Sequence, residues 1–251
     1  MSYYQGLQAE SVAFRGYNGD TGEAYYARPT RAGKFPGVVV IHHLPGWDEW
    51  IIEVVRKFAH HGYAAISHHL YFRDGTESPD DVGARVRAAG GVADAQVMGD
   101  TAGAIAYLRA QPNSNGKIGV IGFCSGGRQT LLFACSSTKV DAAVDCWGGF
   151  IDRATPGAET TPERPTPILN MIDRLHCPLF GVFGEEDQNP TVALSEELRS
   201  RAQRAGKDVT IKVYKNAGHA FLADYRPSYR EGPAAELWKD GVAFFDKHLK
   251  S

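Results

Sequence analysis

Short apolar runs alternate with longer amphipathic stretches along the 251 residues. Residues 10–16 and 22–28 alternate apolar and polar positions, the period of strands with one wet face, on either side of the turn Asn18-Gly19-Asp20. Residues 37–41, 63–67, 118–122, 141–145 and 179–183 are continuous apolar runs bounded by turn residues, as expected of strands covered on both faces. Residues 209–214 alternate again, which predicts an outer strand. Helical spacing is expected over 48–60, 90–110, 125–136, 192–205 and 232–249, with Gly62 stopping the first of these. Strand–helix alternation with central apolar runs predicts an α/β fold with a mostly parallel sheet of about seven to eight strands and helices on both faces. No internal repeat and no break in composition divides the chain, so residues 1–251 are expected to form a single domain. Such sheets bind ligands at the carboxyl ends of their strands, so the residues just after each apolar run are the ones to inspect.

The run ending at Gly122 continues as Gly122-Phe123-Cys124-Ser125-Gly126-Gly127 and then into a predicted helix. This is the small-x-nucleophile-x-small pattern of a strand-to-helix elbow, centred on cysteine. Side chains two residues either side of such a nucleophile would collide with neighbouring backbone, and glycine removes them. Centring the pattern on Ser125 instead puts Phe123 at a crowded position, so Ser125 is the poorer candidate. A thiol at a helix N-terminus is also favoured as thiolate by the helix dipole. Cys135, Cys146 and Cys177 lack this setting and read as core residues.

A thiolate nucleophile needs a histidine, and usually a carboxylate to orient it. After the run 179–183 comes Gly184-Glu185-Glu186-Asp187-Gln188-Asn189-Pro190. Asp187 is the preferred acid, being short and beyond the turn, whereas Glu185 and Glu186 suit solvent. After 209–214 comes Asn216-Ala217-Gly218-His219-Ala220-Phe221, which places His219 as the base. The chain order nucleophile, acid, histidine is that of α/β-hydrolases. The same geometry assigns the oxyanion hole to the backbone N–H groups of Ser125 and of Leu44, the latter in His42-His43-Leu44-Pro45-Gly46.

Charge and cysteine usage narrow the class further. With 27 basic against 29 acidic residues there is no electrostatic footprint for nucleic acid or an anionic membrane. No apolar run approaches the roughly 18–20 residues of a membrane span, and the first residues carry no signal-peptide pattern. The four cysteines form no CxxC pair, so the protein is expected to be cytoplasmic with reduced thiols. The expected partner is a small-molecule substrate, and the assembly a monomer or small homo-oligomer.

Four of the nine histidines form two doublets, His42-His43 and His68-His69, after two strands expected to be neighbours. Histidine clusters can bind zinc, and a metal could polarise a carbonyl, so a metal-assisted hydrolase is the rival reading. No acid or HxH spacing supports it, and hydrogen-bonded pocket histidines are the plainer account. A silent ligand-binding protein on the same fold is the third reading. Aromatic residues follow several strands: Trp47 and Trp50, Tyr71 and Phe72, Trp147 and Phe150. They suggest walls for an apolar or cyclic substrate, or ordinary loop packing. Residues 153–167 form a long polar, proline-rich loop, read as a lid that shapes substrate choice.

With these pieces assembled, the chain resembles the dienelactone hydrolase (carboxymethylenebutenolidase) family of the α/β-hydrolase superfamily from about residue 10 to residue 249. The resemblance rests on 122–127, on 112–119 before it, on 62–66 with Leu70-Tyr71, and on 217–221. It implies an α/β-hydrolase fold, no obligatory cofactor, and a triad of Cys124, Asp187 and His219 opening esters or lactones. Two departures stand out. The family's glutamate that contacts the resting thiol corresponds to His43 here. The family also holds its substrate carboxylate with arginines, for which Arg85, Arg87 and Arg226 are the candidates. The residues expected to contact substrate are His43, Trp47, His69, Tyr71, Trp147 and Arg85.

Overall fold

Runs of β-branched and small residues with no polar face can only be satisfied between two covering layers, and that is where they lie. The computed structural model describes residues 4–154 and 160–250. Its strands are β1 (Leu7–Arg15), β2 (Thr21–Pro29), β3 (Phe35–Ile41), β4 (Ala64–His68), β5 (Ser114–Phe123), β6 (Ala142–Cys146), β7 (Leu179–Gly184) and β8 (Val209–Tyr214). Every residue of β3, β4, β6 and β7 is buried, whereas β1, β2 and β8 mix buried and exposed positions. The helices are α1 (Glu49–His60), α2 (Pro79–Ala88), α3 (Asp94–Ala110), α4 (Ser125–Ser136), α5 (Val192–Arg204) and α6 (Glu231–Leu249). The strands form one eight-stranded sheet in the order β1-β2-β4-β3-β5-β6-β7-β8. No helix among the described residues is long and apolar enough to cross a membrane.

By its contacts the chain divides into two compact units, residues 1–120 with Lys250, and residues 121–249. In the first, β1 and β2 form the antiparallel hairpin expected from their alternation, with Leu7 opposite Pro29 and Arg15 opposite Thr21. Strand β2 runs antiparallel to β4, and β4 parallel to β3. Asp48 caps α1 by accepting the Ile51 N–H. In the second unit, β6, β7 and β8 are parallel, with Cys146 opposite Val182 and Gly184 opposite Tyr214.

Two expectations about helices need correction. The helix expected over 90–110 begins only at Asp94, because Gly90 and Gly91 stand at φ 91° and 85°, a conformation that ends a helix. Helix α2, ending just before them, was not expected at all. Its start is nonetheless written in the chain: Ser78 caps it, Pro79 occupies its first turn, and Asp80 and Asp81 complement the dipole. A 3₁₀ turn at Ile168–Arg174 was likewise missed. Of the loop 153–167 read as a lid, residues 155–159 lie outside the described residues. Beyond them the chain folds back through paired backbone bonds between Thr161 and Arg164.

Candidate active site

Strand β5 ends at Phe123 and α4 begins at Ser125, so Cys124 makes the whole turn from strand to helix. It does so at φ 56°, ψ −117°. A side chain in that region is strained by about 1–3 kcal/mol, and such residues persist only where the surroundings impose them. Here the Cys124 N–H is held by the Cys146 carbonyl at 3.0 Å, and its own carbonyl accepts the Arg128 N–H at 3.1 Å. A Cβ on Gly122 would fall on the Gly126 carbonyl, and one on Gly127 would lie 2.5 Å from an Asp145 oxygen. The glycines flanking the cysteine are therefore steric requirements of the turn.

Asp187 and His219 are brought together by two loops stitched to each other. The Glu185 N–H bonds the Tyr214 carbonyl and the Glu186 N–H the Ala217 carbonyl, both at 2.9 Å. Gly184 permits this approach, since a Cβ there would strike the Ala217 carbonyl. Asp187 is buried while Glu185 and Glu186 are exposed. One Asp187 oxygen accepts the Asn189 N–H at 2.9 Å; the other pairs with His219 Nδ1 at 2.9 Å. Burial works against a charge on the imidazole, but hydrogen bonds to Asp187 and to Cys124, with the charges behind them, push His219 up to about 10. One ring thus meets both partners, the carboxylate through Nδ1 and the thiol through its side-chain hydrogen bond. Ala220 beside it stands at φ 62°.

Trp147 takes a different place from the one expected of a substrate wall. It is 1% exposed and lies behind the imidazole, edge-on at 6.4 Å between centroids, with Phe221 and Phe123 packed against it. The exposed aromatic of that loop is Phe150, at φ 54°. Sequence reasoning also passed over Asp145, a fully buried acid inside β6.

The remaining expected site residues belong to the first unit. His42 donates from Nδ1 to the His43 carbonyl at 2.8 Å and accepts the Leu70 N–H on Nε2 at 3.1 Å. Burial pushes it down to about 3, so it is a neutral structural link. His43 Nε2 pairs with Asp48 at 2.6 Å and the ring stacks on Trp50. Burial opposes ionisation of Asp48, but its hydrogen bond to His43 holds it below the usual carboxylate range. His68 is buried, reaches Thr101 through Nε2 at 3.3 Å, and is pushed down to about 4 by burial. His69 Nδ1 accepts the Tyr71 N–H at 3.1 Å, and its ring packs on Trp47. Tyr71 donates its hydroxyl to the Leu44 carbonyl at 3.2 Å. Among the described residues both nitrogens of His42 and one each of His43, His68 and His69 meet neighbours, the buried His68 Nδ1 has no hydrogen-bond partner, and no group of three or more His, Cys, Asp or Glu is arranged to hold a metal. Arg85 sits on α2, exposed, and is paired with Glu77 at 2.8 Å.

The dienelactone hydrolase family profile matches residues 23–249. A relative from Methylorubrum extorquens, provisionally named a carboxymethylenebutenolidase, is 35% identical over 221 residues, covering 86% of this chain and 73% of its own. A relative from Salmonella typhimurium with the same provisional name is 32% identical over 235 residues, covering 92% and 84%. The crystal structure of a provisionally named dienelactone hydrolase from Klebsiella pneumoniae superposes with a TM-score of 0.86 at 31% identity, over 95% of this chain and 98% of that one. With an eight-stranded, mostly parallel sheet, a cysteine at the strand-to-helix turn and a profile match along nearly its whole length, this chain belongs to the dienelactone hydrolase family and has the α/β-hydrolase fold.

Proposed function

We propose that the protein is a cysteine-dependent hydrolase of carboxylic esters or lactones that works through a thioester acyl-enzyme. One observation carries the reading: a strained cysteine at the head of α4 shares the His219 imidazole with the buried carboxylate of Asp187. In this scheme Cys124 Sγ gives its proton to His219 and attacks the substrate carbonyl. The tetrahedral oxyanion forms beside the Ser125 N–H, one of the first amides of α4, which have no partner within the helix. Collapse breaks the carbonyl–oxygen bond, His219 returns its proton to the leaving alkoxide, and the acyl group stays on sulfur. A water deprotonated by His219 then attacks the thioester, releasing the acid and restoring the thiol. Asp187 fixes the ring tautomer and stabilises the imidazolium.

The second oxyanion donor expected from the sequence, the Leu44 amide, and the substrate contacts expected of His43, Trp47, His69 and Tyr71 are part of the proposal as sequence expectations. The names of the relatives favour an ester or lactone. The family match spans both compact units, which supports reading them as one hydrolase domain. Four free thiols suit a cytoplasmic setting. Replacing Cys124 by Ala tests the core of it. Hydrolysis of p-nitrophenyl esters should vanish in that variant while its fold persists; undiminished turnover would end the proposal.

A further inference from the structure

Asp145 lies in β6 with 0% of its surface exposed, an unusual place for an acid in a strand otherwise built of Ala142, Ala143, Val144 and Cys146. Its Oδ1 accepts the Gly148 N–H at 2.9 Å, while Oδ2 is buried with no hydrogen-bond partner among the described residues. The same Oδ1 lies only 2.5 Å from the place a Cβ would take on Gly127 and on Gly148. The carboxyl is therefore wedged between the first turn of α4 and the turn that leaves β6.

Each residue after Asp145 holds a different part of the catalytic apparatus. The Cys146 carbonyl accepts the Cys124 N–H at 3.0 Å. Trp147, at φ 45°, bonds through its N–H to the Val182 carbonyl at 2.8 Å and lays its indole against His219. Gly148 packs so close that a Cβ would strike the Arg128 backbone. A turn with Trp147 and Phe150 both at positive φ is strained and needs an anchor. The Asp145–Gly148 bond is that anchor. We propose that Asp145 is a positioning residue, whose buried carboxyl holds the turn from which Cys146 fixes the nucleophile and Trp147 backs the imidazole. This rests on the mechanism proposed above, which assigns those two roles to Cys124 and His219.

Burial pushes the Asp145 carboxyl up to about 7, and the Gly148 amide offsets that only in part. Burial, and the charge this carboxyl carries when ionised, raise the neighbouring Cys146 thiol well above its ordinary value. Helix α4 meets the carboxyl with Gly127, and the turn with Gly148.

The test compares Asp145→Ala with Asp145→Asn in the full chain, using p-nitrophenyl acetate hydrolysis and the rate of Cys124 alkylation by iodoacetamide. Ala removes the acceptor and leaves the buried Gly148 N–H unpaired, so kcat should fall about tenfold with KM within about twofold, and alkylation should slow. Asn keeps an acceptor of the same shape and should restore most of kcat. Wild-type kcat in a folded Ala variant, or an Asn variant as impaired as Ala, would overturn the proposal. If the Ala variant does not fold, the Asn variant decides: kcat below about a third of the wild-type value in folded Asn protein overturns it. Loss of all activity in Cys124→Ala together with normal kcat in Asp145→Ala would sink this inference and leave the proposed mechanism standing.

Discussion

At the scale of single residues, the proposed triad is three ordinary side chains in unusual settings. Cys124 is held in a backbone conformation that few side chains tolerate, Asp187 is buried with one oxygen given to the backbone, and His219 lies between the acid and the thiol. Asp187→Asn should keep the shape of the site but lose the charge that steadies the imidazolium. It is expected to lower kcat by about two to four orders of magnitude, read as kcat and KM on a p-nitrophenyl ester; a loss under threefold would remove Asp187 from the mechanism. The positions of the proposed triad were legible as candidates in the chain because each follows an apolar run and is marked by glycine. Asp145 was not, because an acid inside an apolar run looks like the end of a strand, and only the fold shows what its oxygen meets. Arg85 was read as a carboxylate ligand from its type alone; its partner Glu77 is set by the turn before α2.

At the scale of elements, glycines decide how closely the pieces approach. Gly122→Ala would drive a methyl into the Gly126 carbonyl across the elbow. Its expected outcome is a loss of about 1–3 kcal/mol of stability together with at least about tenfold lower kcat, checked by urea denaturation and steady-state kinetics. In the first unit, a Cβ on Gly83 of α2 would sit 2.7 Å from the Leu44 carbonyl and 3.0 Å from that of Pro45. Gly83→Ala should therefore displace the loop 42–46 and lower Tm by a few degrees, about 2–4 °C for each kcal/mol lost in a chain of this size; an unchanged Tm would show that the loop yields freely. The strands could be read from the chain because burial on two faces forces continuous apolar runs. Helix α2 could not, because its polar face outweighs the few buried positions Val82, Gly83 and Val86, and only its cap announces it.

At the scale of the whole molecule, the raised proton affinity of His219 ties stability to pH. Its folded value of about 10 stands above the ordinary 6.5, so its contribution is complete below about pH 6.5 and is lost as pH rises through about 10. The difference in Tm between the wild type and His219→Gln should shrink across that window when followed by differential scanning calorimetry. A difference that stays constant or grows would mean that the imidazole is not held by Asp187 and Cys124. The α/β architecture was legible because parallel sheets impose their alternation on the sequence. The environment of the histidine doublets was not, since which neighbour a ring nitrogen meets depends on loops that carry no period.

The most direct measurement is intact-protein mass spectrometry during turnover of a p-nitrophenyl ester, with acid quenching and peptide mapping. The account predicts one acyl group per chain, carried on Cys124 as a hydroxylamine-labile thioester, and none in Cys124→Ala. An acyl group on Ser125, or full turnover with Cys124 blocked by iodoacetamide, would contradict it.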